Sequence, residues 1–162
     1  MFLQATIAIG LTSCSMRVPL SSASIEEYDL SAEDLKQLHY FPSEDIVLYR
    51  INEANDPVAY KGNLFRTQDT APAKTFLKAS TSGIAKKVMD DRVVLSFDIG
   101  PSRNLVFGTD KSKGLYELMA KRWIDGHGML DYGDREYYSL PGSSDTFVYF
   151  CLLYTSPSPR DA

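Results

Sequence analysis

The feature that most constrains this chain is the spacing of its punctuation. Beyond Asp45, short β-branched and aromatic runs alternate with turn-forming clusters. The runs are Ile46–Ile51, Val58–Tyr60, Leu64–Arg66, Thr75–Lys78, Ile84–Val88, Val93–Phe97, Asn104–Phe107, Tyr137–Leu140 and Thr146–Phe150. Turn signals recur roughly every 8–12 residues, which is the signature of an all-β sandwich or barrel. With Leu115–Trp123 as a further short element, no room is left for crossover helices, which argues against a parallel α/β sheet. The clearest hairpin is Ile84–Val88 with Val93–Phe97, joined through Met89-Asp90-Asp91. Leu115–Trp123 fits either a helical stripe or a strand, and the flanking Gly114 and Gly126 favour a strand because they permit only a short element. The expected fold is mainly β, an antiparallel small barrel or sandwich with one short N-terminal helix.

That helix is signalled by Ser31, a capping residue followed by Glu33 and Asp34 in the first turn, where the helix dipole favours acids. Leu35 and Leu38 follow at helical spacing, and Pro42 bounds the element. So short a helix needs a larger surface on which to pack its leucines.

The N-terminus carries a different kind of signal. An apolar run from Phe2 to Leu11 leads into Leu11-Thr12-Ser13-Cys14. The run has the length of a signal-peptide core and is too short to span a bilayer as a helix. The order resembles a bacterial lipobox, which implies cleavage before Cys14 and acylation of that cysteine. Residues 1–13 are then a lipoprotein signal peptide and 14–27, polar and proline-containing, a flexible tether. Residues 28–150 form one β-rich domain. Ser15 after the cysteine resembles the choice that permits outer-membrane export. The expected location is therefore the cell envelope, lipid-anchored at the outer membrane. Stable anchoring requires more than one acyl chain.

At the other end, Cys151–Ala162 resembles a translated sequencing adapter, so a non-native tail is expected there, with the domain truncated after Phe150. With Cys151 set aside, Cys14 stands alone, and neither a disulfide nor a cysteine metal site is expected.

Tyr28–Phe41, Ser43–Leu48, Thr81–Gly83, Val93–Phe97, Leu105–Gly108 and Asp131–Gly133 together resemble a group of uncharacterised bacterial lipoproteins. Ile84–Phe107 is similar to the central meander of an SH3-like small barrel. These likenesses imply an exported β-domain and carry over no functional residue besides Cys14.

Chemistry-bearing residues are sparse. The net charge of −4 and a pI near 5.1 leave no footprint for nucleic acid. His39 and His127 are the only histidines and lack companions for a zinc site. His39 reads as a surface residue at the helix exit. His127, in Asp125-Gly126-His127-Gly128, reads as part of an exposed flexible loop where a general base could sit with Asp125 or Asp131. That pairing defines the enzymatic alternative, a periplasmic hydrolase. Asp125, Asp131 and Asp134 do not match a calcium loop. No nucleophile elbow, phosphate loop or cofactor motif occurs. Trp123, His127, Tyr132, Tyr137 and Tyr138 are the candidate ligand surface, since flat rings with polar tips suit a glycan or peptide. The leading expectation is a non-catalytic binding or structural module. Its partners are the membrane, through Cys14, and an envelope protein, peptide or glycan.

Overall fold

The computed structural model describes residues 16–50, 74–98, 100, 102–109 and 114–152, together with the backbone of 58–60 and 63–65. In chain order the elements are β1 (Met16–Pro19), α1 (Ser22–Glu27), α2 (Ala32–Gln37), β2 (His39–Pro42), β3 (Ile46–Tyr49), β4 (Val58–Tyr60) and β5 (Asn63–Phe65). There follow β6 (Lys74–Leu77), β7 (Gly83–Val88), β8 (Arg92–Ser96), β9 (Asn104–Gly108), β10 (Glu117–Met119) and β11 (Arg122–Ile124). The last are β12 (His127–Tyr132), β13 (Arg135–Ser139) and β14 (Val148–Leu152). Every pairing is antiparallel.

A seven-stranded sheet runs β1-β14-β2-β7-β8-β9-β10, a five-stranded sheet runs β11-β12-β13-β3-β6, and β4 pairs with β5. Isolated bridges from Leu115 to Ser21 and from Glu117 to Phe147 tie the β10 end of the large sheet back toward its β1–β14 end. These are bridges and not a continuous ladder. The architecture is two layers around one core, and of the two expected forms the sandwich is the one that fits.

The core draws on both layers. Val93, Leu95, Leu105, Phe107 and Phe150 of the large sheet meet Ile46, Leu48, Leu77, Leu130 and Tyr137 of the small one. Period-two alternation explains which residues enter it: in β8, Val93 and Leu95 are buried while Arg92 and Val94 are partly open. The β7–β8 hairpin forms as expected, with a register shift between Ala85 and Lys87. At Gly83 an added Cβ would stand 2.5 Å from the Phe97 ring, so the absence of a side chain there lets a core aromatic cross the strand.

The expected helix is α2. Ser31 Oγ accepts from the Asp34 N–H at 3.1 Å, and Asp34 returns the bond by accepting from the Ser31 N–H at 2.9 Å. This reciprocal box holds the Asp34 carboxyl below its ordinary range, chiefly through the Ser31 hydroxyl. Leu35 is buried, and its carbonyl accepts from the Tyr40 hydroxyl at 2.6 Å. Replacing Ser31 with Ala is expected to cost about 1 kcal/mol of stability in urea unfolding. A loss below ~0.3 kcal/mol would mean that tertiary packing alone sets the helix start.

Several expectations are corrected. Residues 16–27, read as part of a flexible tether, contain a strand and a helix. Met16–Pro19 pairs with Tyr149–Leu152, and Leu20 is fully buried. α1 has its own reciprocal box, with Ser21 Oγ accepting from the Ser24 N–H at 3.0 Å and Ser24 Oγ accepting from the Ser21 N–H at 2.9 Å. The domain boundary expected after Phe150 is also not where the strand ends, because Cys151 and Leu152 continue β14 opposite Arg17 and Met16. Residues 153–162 and 1–15, including the signal-peptide run and Cys14, lie outside the described residues. Leu115–Trp123 contains two strands in different sheets, and the chain crosses between layers at Ala120-Lys121.

Candidate binding groove

The crossing at Ala120-Lys121 lies beside two concavities of the described surface. β10 ends the large sheet and β11 ends the small one, so the two edges flank a gap. One cavity of about 310 Å³ is lined by Arg92, Asn104, Val106, Met119, Lys121 and Asp131, among others. A second, of about 260 Å³, is lined by Gly108, Thr109, Glu117, Leu118, Trp123 and Ser144 as well as Met119 and Ala120. Both include Met119 and Ala120 in their lining, so the two adjoin the same stretch at the end of β10. Lys121 Nζ donates to Asp131 Oδ1 at 2.6 Å on the rim of the first, an exposed pair of little energetic weight.

Trp123 is held at this groove by a tight hairpin. Ile124 pairs with His127 across a two-residue turn, Asp125-Gly126, whose φ values are +50° and +81°. Asp-Gly with both central residues at positive φ matches a type I′ turn, whose twist suits the strands it joins. The register then sets Trp123 opposite Gly128. A Cβ on Gly128 would lie 2.8 Å from Trp123 Cζ3 and 2.9 Å from Ser139 Oγ. The indole therefore reaches across the neighbouring strand only because residue 128 has no side chain. Trp123 remains 39% exposed.

The same hairpin removes His127 from solvent. It was expected in an exposed flexible loop but opens β12 and is only 5% exposed. Its Nδ1 lies 2.9 Å from the Ser139 carbonyl and 2.8 Å from the Tyr49 hydroxyl. A carbonyl oxygen can only accept, so the Nδ1 hydrogen bond to it requires the proton on Nδ1. Ser139 Oγ in turn accepts from the Gly128 N–H at 2.9 Å. The Tyr49 ring stands edge-on to the imidazole, and burial, with Tyr138 nearby, raises the Tyr49 phenol above its ordinary range. These are structural bonds that join β3, β12 and β13.

The hydrolase dyad is not assembled by this arrangement. Asp131 is four residues along the same strand, a displacement of about 13 Å at strand rise, and it pairs with Lys121. Asp125 occupies the turn at positive φ, a conformation that Asp and Asn tolerate better than most residues. A general base must come within hydrogen-bond reach of substrate, and a buried imidazole spanning three strands does not.

The proposed ligand surface divides accordingly. Trp123 is exposed and Tyr138 is half-buried, whereas His127, Tyr132 and Tyr137 belong to the interior. Tyr132 and Tyr137 pack edge-on with ring centroids 5.8 Å apart. Burial pushes the Tyr132 phenol up to about 12, with Asp98 adding to the rise. Tyr132 and Tyr137 also border a small cavity of about 70 Å³ with Arg103 and Arg135, where Arg103 is committed to Asp98 at 2.7 Å. His39 is exposed, as expected, but sits in β2, with Nδ1 2.8 Å from Ser82 Oγ. Sequence reasoning missed Met119, Thr109, Glu117 and Ser144 as groove residues, because three separate segments bring them together.

Among the described residues no group of three His, Cys, Asp or Glu side chains could hold a metal, and no helix is long and apolar enough to cross a membrane. Cys151, expected to play no part, is disulfide-bonded. The sequence contains one other cysteine, Cys14, which lies outside the described residues. Comparison with protein-family models, curated proteins and solved structures finds no match to this chain.

Proposed function

We propose that this chain is a cell-envelope lipoprotein, anchored at the outer membrane through acylated Cys14, whose β-domain is a non-catalytic binding or structural module. The observation that carries the non-catalytic reading is the burial of His127 behind Tyr49 and Ser139, which removes the one histidine that the hydrolase alternative used. The cavities at Met119 and Trp123 supply a place to bind. The anchoring rests on the apolar run and Leu11-Thr12-Ser13-Cys14.

A second reading is favoured by the disulfide at Cys151. One sulfur cannot carry both a thioether-linked lipid and a disulfide. If Cys14 is oxidised, the chain is an exported domain stapled in an oxidising compartment and released from the membrane. Intact mass under non-reducing conditions separates the two. The lipoprotein reading expects a chain starting at Cys14 with a diacylglyceryl group, and a Cys14→Ser variant that leaves the membrane fraction. An unlipidated chain starting at Met1 would overturn it. So would a Cys14→Ser variant that stays with the membrane.

A further inference from the structure

We infer that the end of the sandwich bearing Met16, Tyr28 and Leu152 rests against a bilayer of zwitterionic lipid, held there by the short stretch between Cys14 and β1. This rests on the proposed acylation of Cys14. A flexible tether over residues 14–27 would let the domain stand about 20 Å from the surface. The structure leaves no such length, because β1 starts at Met16 and pairs from its first residue, Met16 lying opposite Leu152. Only Ser15 separates Cys14 from the sheet. From Cys14 to Met16 the backbone spans at most about 7 Å, whatever path it takes. The headgroup layer of a bilayer is itself about 5–7 Å deep on each side. An acylated Cys14 therefore keeps Met16 at or beside the headgroups. Leu152 follows one strand spacing away, about 5 Å along the sheet.

The side chains at this end suit that position. Met16 is 43% exposed and Tyr28 36%, two of the large hydrophobics left open to solvent. The Tyr28 ring stands edge-on to Phe150, with centroids 6.1 Å apart, and Phe150 lies two residues before Leu152 on β14. A phenol with an apolar body and a polar tip is a common interface residue. Arg17 follows Met16, is exposed, and lies with its guanidinium 4.2 Å from the centre of the Phe41 ring.

Charge decides which lipid fits. Glu26, Glu27 and Asp29 flank Tyr28 and are all exposed, so their negative charge outweighs Arg17. A cluster of basic residues would draw an anionic leaflet, and this end has none. The contact is imposed by chain length and not by electrostatic attraction, and it favours headgroups without net charge.

The single tryptophan supplies a control. Trp123 lines a cavity with Ser144, which precedes β14, whereas Met16 pairs with the last residue of that strand. The two positions thus mark opposite ends of β14. The lipidated protein is placed in phosphatidylcholine vesicles with and without a nitroxide at the headgroup, and tryptophan emission is compared. Met16→Trp and Tyr28→Trp, each in a Trp123→Phe background and each matching wild type by circular dichroism, are expected to lose at least half of their emission. Wild-type Trp123 should lose less than a tenth. Full emission from either folded variant overturns the inference. So does quenching of wild-type Trp123 as strong as that of the variants. Mass spectrometry of the same sample separates the two claims. An unlipidated chain overturns the anchoring and this inference with it, whereas a lipidated chain without quenching overturns this inference alone.

Discussion

Phe107→Ala is expected to cost about 3–5 kcal/mol, the range for truncating a fully buried aromatic. Phe107 has no exposed surface and lies in β9, paired with Val93 on one side and Leu118 on the other. Its ring stands edge-on to Phe97 at 6.2 Å between centroids, and Phe97 in turn covers Gly83. Truncation opens a void bordered by both layers, and β-strands held by two ladders cannot move in to fill it. Small domains have about 5–15 kcal/mol in total, so the variant should be close to unfolded at 37 °C. Phe76→Ala is the matched control. Phe76 is 61% exposed on the edge strand β6, and its loss should fall within ~0.5 kcal/mol. Urea unfolding of the two variants measures the contrast. Equal costs would mean that the two layers do not share the core described above.

The second large effect is alkaline instability. Burial raises the phenols of Tyr40, Tyr49, Tyr116 and Tyr132, the last to about 12. In the unfolded chain a tyrosine loses its proton near pH 10. Between pH 10 and 12 the unfolded state therefore binds fewer protons than the folded state, and stability falls as pH rises. Below pH 10 the contribution is fully present. Tyr132 alone should account for about 2 kcal/mol of loss by pH 12, given one pKa unit per 1.36 kcal/mol and some relaxation of the site. Unfolding followed by circular dichroism across this window is expected to show a steep decline. Tyr132→Phe should flatten part of it. The hydroxyl it removes is buried with no hydrogen-bond partner among the described residues, so stability at pH 7 should be unchanged or higher. A decline identical to wild type would mean that Tyr132 ionises normally.

What could be read from the sequence was local. Ser31 with Asp34 announces its helix because both halves of the cap lie within four residues. Val93 and Leu95 announce a half-buried strand by alternation, and the antiparallel β class follows from many such runs. The groove was legible only at Trp123, the exposed one among the aromatics proposed for it. His127 was misread because its two glycine neighbours suggested freedom. One of those glycines completes an Asp-Gly turn and the other makes room for an indole, so both restrain the segment. The dipeptide Asp125-Gly126, flanked by Trp123-Ile124 and Met129-Leu130, was the signal that could have shown it. The burial of His127 also depends on Tyr49, which is distant in sequence, and β1 depends on β14. No local pattern encodes such partners.

The pairing of β1 with β14 also bears on the order of folding. It joins the first described strand to the last, across nearly the whole described chain. Local hairpins such as β7–β8 and β12–β13 can form as soon as their residues are available, but this pairing waits for the final strand. Until then Leu20 and the outer side of β2 have no cover. The chain should thus collapse early into a partly open intermediate and close late, in a step set by loop entropy. Until β14 is in place, β1 and β2 each present an unpaired edge on which another strand could add.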